Sequence, residues 1–97
     1  MEKELKTKEV KELYSAISSL KNAKETENFF RDLCTISEIK AMAERWQVAG
    51  LLNKKVPYRE IAEKASSSTA TGTRVATWLN HGTGGYKLLL HRRQGEK

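Results

Sequence analysis

With 97 residues, 38% of them hydrophobic and 31% charged, and a formal net charge of +6, the chain has room for one small domain spanning residues 1–97. The charged N-terminal stretch MEKELKTKEV excludes a secretory signal peptide, and the longest apolar run, at residues 88–90, is too short to cross a membrane, so we expect a soluble cytoplasmic protein. Cys34 is the only cysteine, which excludes an intramolecular disulfide and a cysteine-based metal cluster. The preference for Leu, Ala, Glu and Lys over Val and Ile predicts an all-α fold.

Two helices are predicted in the N-terminal third of the chain. The first has apolar residues at helical spacing along one face: Val10, Leu13, Tyr14, Ile17 and Leu20. A capping box formed by Asn22 and Glu25 predicts the start of the second helix, which we expect to run into Cys34. The apolar residues that this second helix is expected to bury are Phe29, Phe30 and Leu33.

A longer central helix is predicted for residues 35–53. Thr35 and Glu38 form a second capping box at its start. The apolar residues that follow at helical spacing are Ile39, Met42, Ala43, Trp46, Ala49 and Leu52. We expect the helix to end near Asn53, before the exposed pair Lys54 and Lys55.

A short helix and a stretch of small residues come next. Pro57 suits the first turn of that helix, because a proline there loses no hydrogen bond. The inward face of the helix is formed by Ile61, Ala62 and Ala65. The stretch after it, SSSTATG at residues 66–72, is rich in hydroxyl groups and is poor material for a hydrophobic core.

A further helix begins within this stretch, with Thr69 as its predicted N-cap. Its apolar residues are Val75, Trp78 and Leu79. Residues 57–80 therefore predict a helix-turn-helix. Three glycines in HGTGG, at residues 81–85, predict a loop, and residues 86–93 predict a closing helix.

The positive charge is concentrated in the half of the chain that contains this motif. Residues 1–44 hold 8 Lys and Arg against 9 Asp and Glu, whereas residues 45–97 hold 10 against 3. A basic half of this kind indicates attraction to an anionic polymer or an anionic membrane surface. Solubilising lysines on a solvated surface are the alternative interpretation.

The hydroxyl-rich stretch contains the residue types that a DNA-reading helix needs at its N-terminal end. Small side chains let the helix approach the floor of the major groove, and their hydroxyl groups bond base edges or phosphate oxygens. The predicted DNA-reading residues are Ser67, Ser68, Thr69, Thr71 and Thr73. The residues predicted to contact the DNA backbone are Lys54, Lys55, Arg59 and Lys64, and Arg74 is a candidate for a phosphate, a guanine or a ligand contact. A flexible Ser/Thr linker is the alternative interpretation of the stretch.

The segment LCTISEIKAMAERWQVAGLLNKKVPYREIAEKASSSTATGTRV resembles the Trp repressor superfamily, specifically its YerC/YecD-type members. The landmarks are FFRDLCT before the central helix, AERWQVAGLL within it, and STATGTRV in the recognition segment, and the match extends over about residues 10–91. The resemblance implies an all-α subunit of about six helices. It also implies an intertwined homodimer joined through residues 1–34, which binds a palindromic site in double-stranded DNA.

The resemblance further implies a ligand pocket, since the Trp repressor binds tryptophan between two arginines that match Arg45 and Arg74. Two hydroxyl positions near that pocket match Thr35 and Thr71. Two other positions depart from the family pattern, because Val75 stands in place of a glycine and Trp78 in place of a serine. We therefore expect no tryptophan co-repressor and no other cofactor, with the Trp78 indole itself a candidate occupant of the pocket between Arg45 and Arg74.

The sequence offers no set of residues for catalysis or for metal binding. His81 and His91 have no evident carboxylate partner, and no nucleophile stands beside a base, so we expect no enzyme activity. The leading prediction is a homodimeric, sequence-specific DNA-binding transcription regulator that acts as a repressor. The alternative is a protein-interaction or assembly module that retains the helix-turn-helix as a scaffold. Gly72 favours this alternative, because glycine makes the recognition helix less stable by about 1 kcal/mol than alanine would.

Overall fold

A computed structural model of the chain describes residues 2–65 and 69–94, and every long regular element in them is an α-helix. After a 3₁₀ turn at Lys3–Leu5, the helices are α1 (Lys8–Ser18), α2 (Ala23–Leu33), α3 (Ile36–Asn53), α4 (Tyr58–Ala65), α5 (Thr69–His81) and α6 (Gly85–Gln94). The all-α prediction is confirmed. The predicted DNA-reading residues Ser67 and Ser68 lie outside the described residues.

The chain divides into two compact units, residues 1–39 and residues 40–97. In the first unit, Thr7 caps α1, the predicted Thr35–Glu38 box is formed, and the Asn22–Glu25 pair forms with a shifted second bond. The Asn22 side chain accepts from the Glu25 amide at 2.9 Å, while the Glu25 carboxylate accepts from the Lys21 amide at 2.9 Å. At the start of α3, Thr35 Oγ1 accepts from the Glu38 amide at 3.1 Å, and Glu38 Oε1 accepts from the Thr35 amide at 2.8 Å.

The apolar face of the first unit is only partly covered. None of its described residues is fully buried. Phe29 and Phe30 are half-buried and meet edge to face, with ring centroids 5.9 Å apart. Leu33, which was expected to be buried, is 49% exposed, because no described element covers it fully at the end of α2.

The second unit contains the hydrophobic core of the chain. Its buried cluster is Val48 and Ala49 of α3, Ile61 and Ala65 of α4, and Val75 of α5. Leu79 and Ala76 extend the buried face of α5. Ala62, predicted to face inward, is exposed. The short helix α4 buries only Ile61 and Ala65, which lie one helical turn apart.

The central helix ends in a turn that leads directly into α4. Lys55 adopts a left-handed conformation with φ of 65°, the Val56 amide donates to the Leu51 carbonyl at 3.1 Å, and the Lys55 amide donates to Leu52 at 3.0 Å. This pair of bonds is the Schellman arrangement, which satisfies the last carbonyls of a helix. The Pro57 carbonyl then accepts the first hydrogen bond of α4 from the Ile61 amide at 3.0 Å, so Pro57 lies just before the helix.

The second helix of the predicted motif begins at Thr69, passes through Gly72 and ends at His81. The loop predicted for residues 81–85 is shorter than expected, because α5 includes His81 and α6 starts at Gly85. Gly84, with φ of 94°, makes the turn between them in a conformation that favours glycine. Within the described residues, no helix is long and apolar enough to cross a membrane, and no group of side chains could hold a metal ion.

Candidate functional site

Helix α5 has two distinct faces, and one of them is held against α4. The inward face consists of Gly72, Val75, Ala76 and Leu79, all buried. Val75 is 1% exposed and belongs to the same cluster as Ile61 and Ala65 of α4. The pairing of the two helices predicted from sequence is therefore present, and the orientation of α5 is set by apolar packing.

The outward face of α5 is composed of small residues. Ala70, Thr73 and Thr77 are exposed and follow the i, i+3, i+7 spacing of one helical face, with Arg74 exposed beside them. Thr73 and Arg74 were predicted as DNA contacts, whereas Thr71, also predicted, is only half exposed at the edge of this face. Thr69 is the first residue of the helix.

Thr77 belongs to the outward face although the sequence analysis did not include it. Its hydroxyl donates to the Thr73 carbonyl at 3.0 Å, which directs the oxygen along the helix and fixes the position of the side chain. The signal that could have found Thr77 is its position two residues after Val75 and two before Leu79, opposite the buried stripe.

The predicted backbone-contacting residues surround the first helix of the motif. Lys54 and Lys55 are exposed in the turn before α4, and Arg59 and Lys64 are exposed on α4 itself. Lys64 lies 4.0 Å from the Glu60 carboxylate, one helical turn away. Because both side chains are more than half exposed, this ion pair is weak and would not prevent Lys64 from turning to a phosphate.

A pocket of about 450 Å³ lies beside α5, between α3 and α6. It brings together Arg45, Arg74 and Trp78, three of the five residues predicted to form an effector pocket. The remaining lining residues are Trp46, Val75, Thr83, Gly85, Tyr86 and Leu89. Thr71 is not among the lining residues, and Thr35 belongs to the N-terminal unit, where its hydroxyl caps α3.

Aromatic side chains form much of the pocket wall. Trp46 and Tyr86 stack with ring centroids 6.3 Å apart and ring planes inclined by 20°. Trp78, 49% exposed, forms another part of the wall. A Cβ atom at Gly82 would collide with the Trp78 carbonyl oxygen and lie 3.0 Å from Cε3 of its indole, so the chain after α5 needs glycine at this point.

The pocket therefore combines two guanidinium groups with three aromatic rings and one buried aliphatic side chain. Its volume is within the range of small-ligand pockets. Arginine and aromatic faces suit a planar anion, and no carboxylate is among the described residues that line the pocket.

Comparison with known proteins places this arrangement in a family. Residues 8–94 match the Trp repressor protein family. The chain is 42% identical over 88 residues to the uncharacterized protein YerC of Bacillus subtilis (strain 168), covering 91% of this chain and 85% of that protein. It also superposes with a TM-score of 0.91, at 43% identity and over 96% of each chain, on the crystal structure of a TrpR-like protein from Eubacterium eligens.

These matches confirm the resemblance drawn from the sequence. They also confirm the all-helical helix-turn-helix fold, with six α-helices among the described residues. Proteins of this family are DNA-binding regulators and not enzymes, which agrees with the expectation of no catalytic activity. The family match covers nearly the whole chain, and the chain therefore belongs to the Trp repressor family.

Proposed function

We propose that the protein is a cytoplasmic homodimer that reads a specific sequence in double-stranded DNA and represses transcription from it. In this proposal α5 enters the major groove, and α4 crosses the DNA backbone beside it. Thr73 and Thr77, with Thr69 and Thr71 nearer the start of the helix, meet base edges. Arg59, Lys64, Lys54 and Lys55 contact phosphates.

The outward face of α5 is the observation that carries this proposal. Ala70, Thr73 and Thr77 are short enough to let the helix backbone approach the base pairs, and the threonines offer hydroxyl and methyl groups for direct readout. Val75 holds the opposite face in the core, so the direction of the reading face is set before DNA binds. Exposed lysines before and on α4 supply the positive charge.

The proposed homodimer is supported by the exposed apolar residues of α1 and α2. Tyr14 is 56% exposed and Leu33 is 49% exposed, and small chains often complete their core by association. A two-fold dimer would place two copies of α5 about 34 Å apart, one turn of DNA, and so require a palindromic site.

We also propose that the pocket beside α5 operates without free tryptophan. Val75 and Trp78 line the same pocket as Arg45 and Arg74, which supports this proposal. The Trp78 indole would then take the part of a bound ligand in positioning α5. Titration with free tryptophan tests this point, because stoichiometric binding in the micromolar range would overturn it.

An assembly module that keeps the helix-turn-helix without reading DNA is the second candidate. The observation that favours it is Gly72 inside α5, where an added Cβ would meet, among the described residues, only the Tyr58 ring at 3.8 Å. Packing therefore does not require glycine at this position, and glycine makes the helix less stable than alanine would. A steep fall of nucleic-acid affinity with salt would favour the regulator over the module.

Selection of random duplex DNA by the purified protein at about 0.15 M salt tests the proposed function directly, because weak phosphate attraction is already damped at that concentration. The expected result is a palindrome with half-sites about 10 base pairs apart. If the recovered sequences have no two-fold symmetry, or if no sequence is recovered, the result would favour the assembly module.

A further inference from the structure

The outward face of α5 carries methyl groups at two positions that lie two helical turns apart. Ala70 and Thr77 are both exposed and stand seven residues apart. Seven residues of an α-helix rise about 10 Å, whereas successive bases on one strand of DNA are about 3.4 Å apart. A helix lying in the major groove would therefore bring these two side chains to different base pairs.

Neither of these side chains has a hydrogen atom ready for donation to a base. Ala70 ends in a methyl group. Thr77 has one hydroxyl hydrogen, which is donated to the Thr73 carbonyl at 3.0 Å, one helical turn back along α5. Thr77 would have to break this bond before it could donate to a base. Its Cγ2 methyl group takes no part in the bond and is therefore the group that remains for contact with DNA.

The segment that contains them is poor in side chains that read bases through paired hydrogen bonds. Arg and Lys make such contacts to guanine, Asn and Gln make them to adenine, and Glu and Asp accept from cytosine. In SSSTATGTRVAT, at residues 66–77, Arg74 is the one residue of these types. Arg74 also lines the pocket beside α5. Base discrimination by this segment therefore depends largely on single hydroxyl groups and on methyl groups.

We propose that Ala70 and Thr77 read thymine through its 5-methyl group. The inference rests on the proposed function, in which the outward face of α5 lies in the major groove. Thymine is the base that presents a methyl group there, and contacts from alanine and from the threonine methyl recognise it. The half-site therefore contains a thymine opposite each of these two side chains, and thymine positions define the DNA that the protein selects.

The competing explanation is that the Thr77 hydroxyl leaves the Thr73 carbonyl when DNA binds and forms a hydrogen bond with a base. Deoxyuridine separates the two explanations, because it lacks the 5-methyl group of thymidine and keeps the same hydrogen-bonding groups. The thymines of the selected palindrome are replaced by deoxyuridine one at a time, and fluorescence anisotropy measures the affinity of the wild-type protein. We expect about three- to fivefold weaker binding at up to two positions in each half-site, which corresponds to the loss of one buried methyl group at each.

Two variants separate the methyl group of Thr77 from its hydroxyl group. Thr77→Ser keeps the hydroxyl, should bind the palindrome about three- to fivefold more weakly for each half-site, and should no longer respond to deoxyuridine at one position. Thr77→Val keeps the methyl group and should retain both the affinity and the preference for thymine. The matched control is Thr26→Ser in α2, where an exposed threonine hydroxyl likewise donates to a carbonyl one turn back, that of Asn22, at 3.0 Å. This control should change neither quantity.

The inference is overturned if the selected half-sites contain no thymine, if deoxyuridine has no effect, or if every effect of deoxyuridine persists in Thr77→Ser. It is also overturned if Thr77→Ser binds like the wild type while Thr77→Val is weakened, because the hydroxyl would then be the reading group. These outcomes leave the proposed function intact, because the wild type still binds its selected palindrome. Recovery of no palindrome would instead overturn the proposed function and this inference together.

Discussion

The Trp46 ring of α3 stacks on the Tyr86 ring of α6, with ring centroids 6.3 Å apart. Both rings also line the pocket beside α5. One aromatic contact therefore joins the central helix to the C-terminal helix at the wall of this pocket.

The first prediction concerns this stacked pair. Tyr86→Ala should lower the free energy of unfolding by about 1–3 kcal/mol, because it removes the stacking interaction and the partly buried ring area together. Tyr86→Phe keeps the ring and should lose much less. Urea denaturation at one fixed protein concentration measures both, since the stability of the proposed dimer would depend on concentration. Equal stability of Tyr86→Ala and the wild type would show that the stack is not important for α6.

The second prediction concerns the start of the central helix. Thr35→Ala removes the hydroxyl that accepts from the Glu38 amide, so the free energy of unfolding should fall by about 0.5–2 kcal/mol. Thr35→Ser keeps the acceptor and should stay near the wild type. The same denaturation experiment measures the change. A loss of stability as large in Thr35→Ser as in Thr35→Ala would mean that the methyl group, and not the cap, carries the effect.

The third prediction concerns the glycine inside α5. Gly72→Ala should raise the free energy of unfolding by roughly 0.5–1 kcal/mol, because alanine favours the helix and its Cβ makes an ordinary contact with the Tyr58 ring at 3.8 Å. Gly50→Ala, also inside a helix and with free space around its Cβ, is the matched comparison and should gain a similar amount. A loss of stability in Gly72→Ala alone would show that the buried face of α5 cannot accept a methyl group.

The fourth prediction concerns the glycine that follows α5. Gly82→Ala should lower the free energy of unfolding by about 1–3 kcal/mol, because its Cβ would overlap the Trp78 carbonyl and press on the indole edge. The emission of Trp78, measured in a Trp46→Phe background, should shift as the indole moves. Gly85→Ala, where a Cβ meets nothing within 4 Å, serves as the control. Unchanged emission and stability in Gly82→Ala would contradict the close approach of the loop to Trp78.

The fifth prediction concerns DNA reading by the outward face of α5. Thr73→Ala should weaken binding to the selected palindrome by about 0.5–1.5 kcal/mol for each lost hydrogen bond, roughly two- to tenfold. Binding to unrelated duplex DNA, which depends on charge, should not change. Thr73→Ser keeps the hydroxyl and should retain most of the affinity. Fluorescence anisotropy on both duplexes measures this, and a uniform loss on both would argue against base reading by Thr73.

Local signals in the sequence were enough to predict most helix boundaries. The boxes Asn22–Glu25 and Thr35–Glu38 are pairs three residues apart whose bonds form within one helical turn, so no distant residue is needed to specify them. The buried positions Ile61, Ala65, Val75 and Leu79 likewise follow from helical periodicity, which sets one face against another. The C-terminal end of α5 was predicted less accurately, because helix propensity alone does not decide whether His81 is the last residue of a helix or the first residue of a loop.

Only the tertiary structure decided which residues meet across helices. Arg45, Arg74 and Trp78 come from α3 and α5, so no spacing along the chain brings them together, and the sequence analysis grouped them only through the family resemblance. The exposure of Leu33 and Ala62 was likewise decided by which neighbouring surfaces exist, since an apolar residue is buried only where another element covers it. The sequence by itself determined the helices and most of the apolar contact between α4 and α5, because those depend on interactions within a few turns. Packing decided the burial of Val48 and the shape of the pocket, because these depend on where distant segments converge.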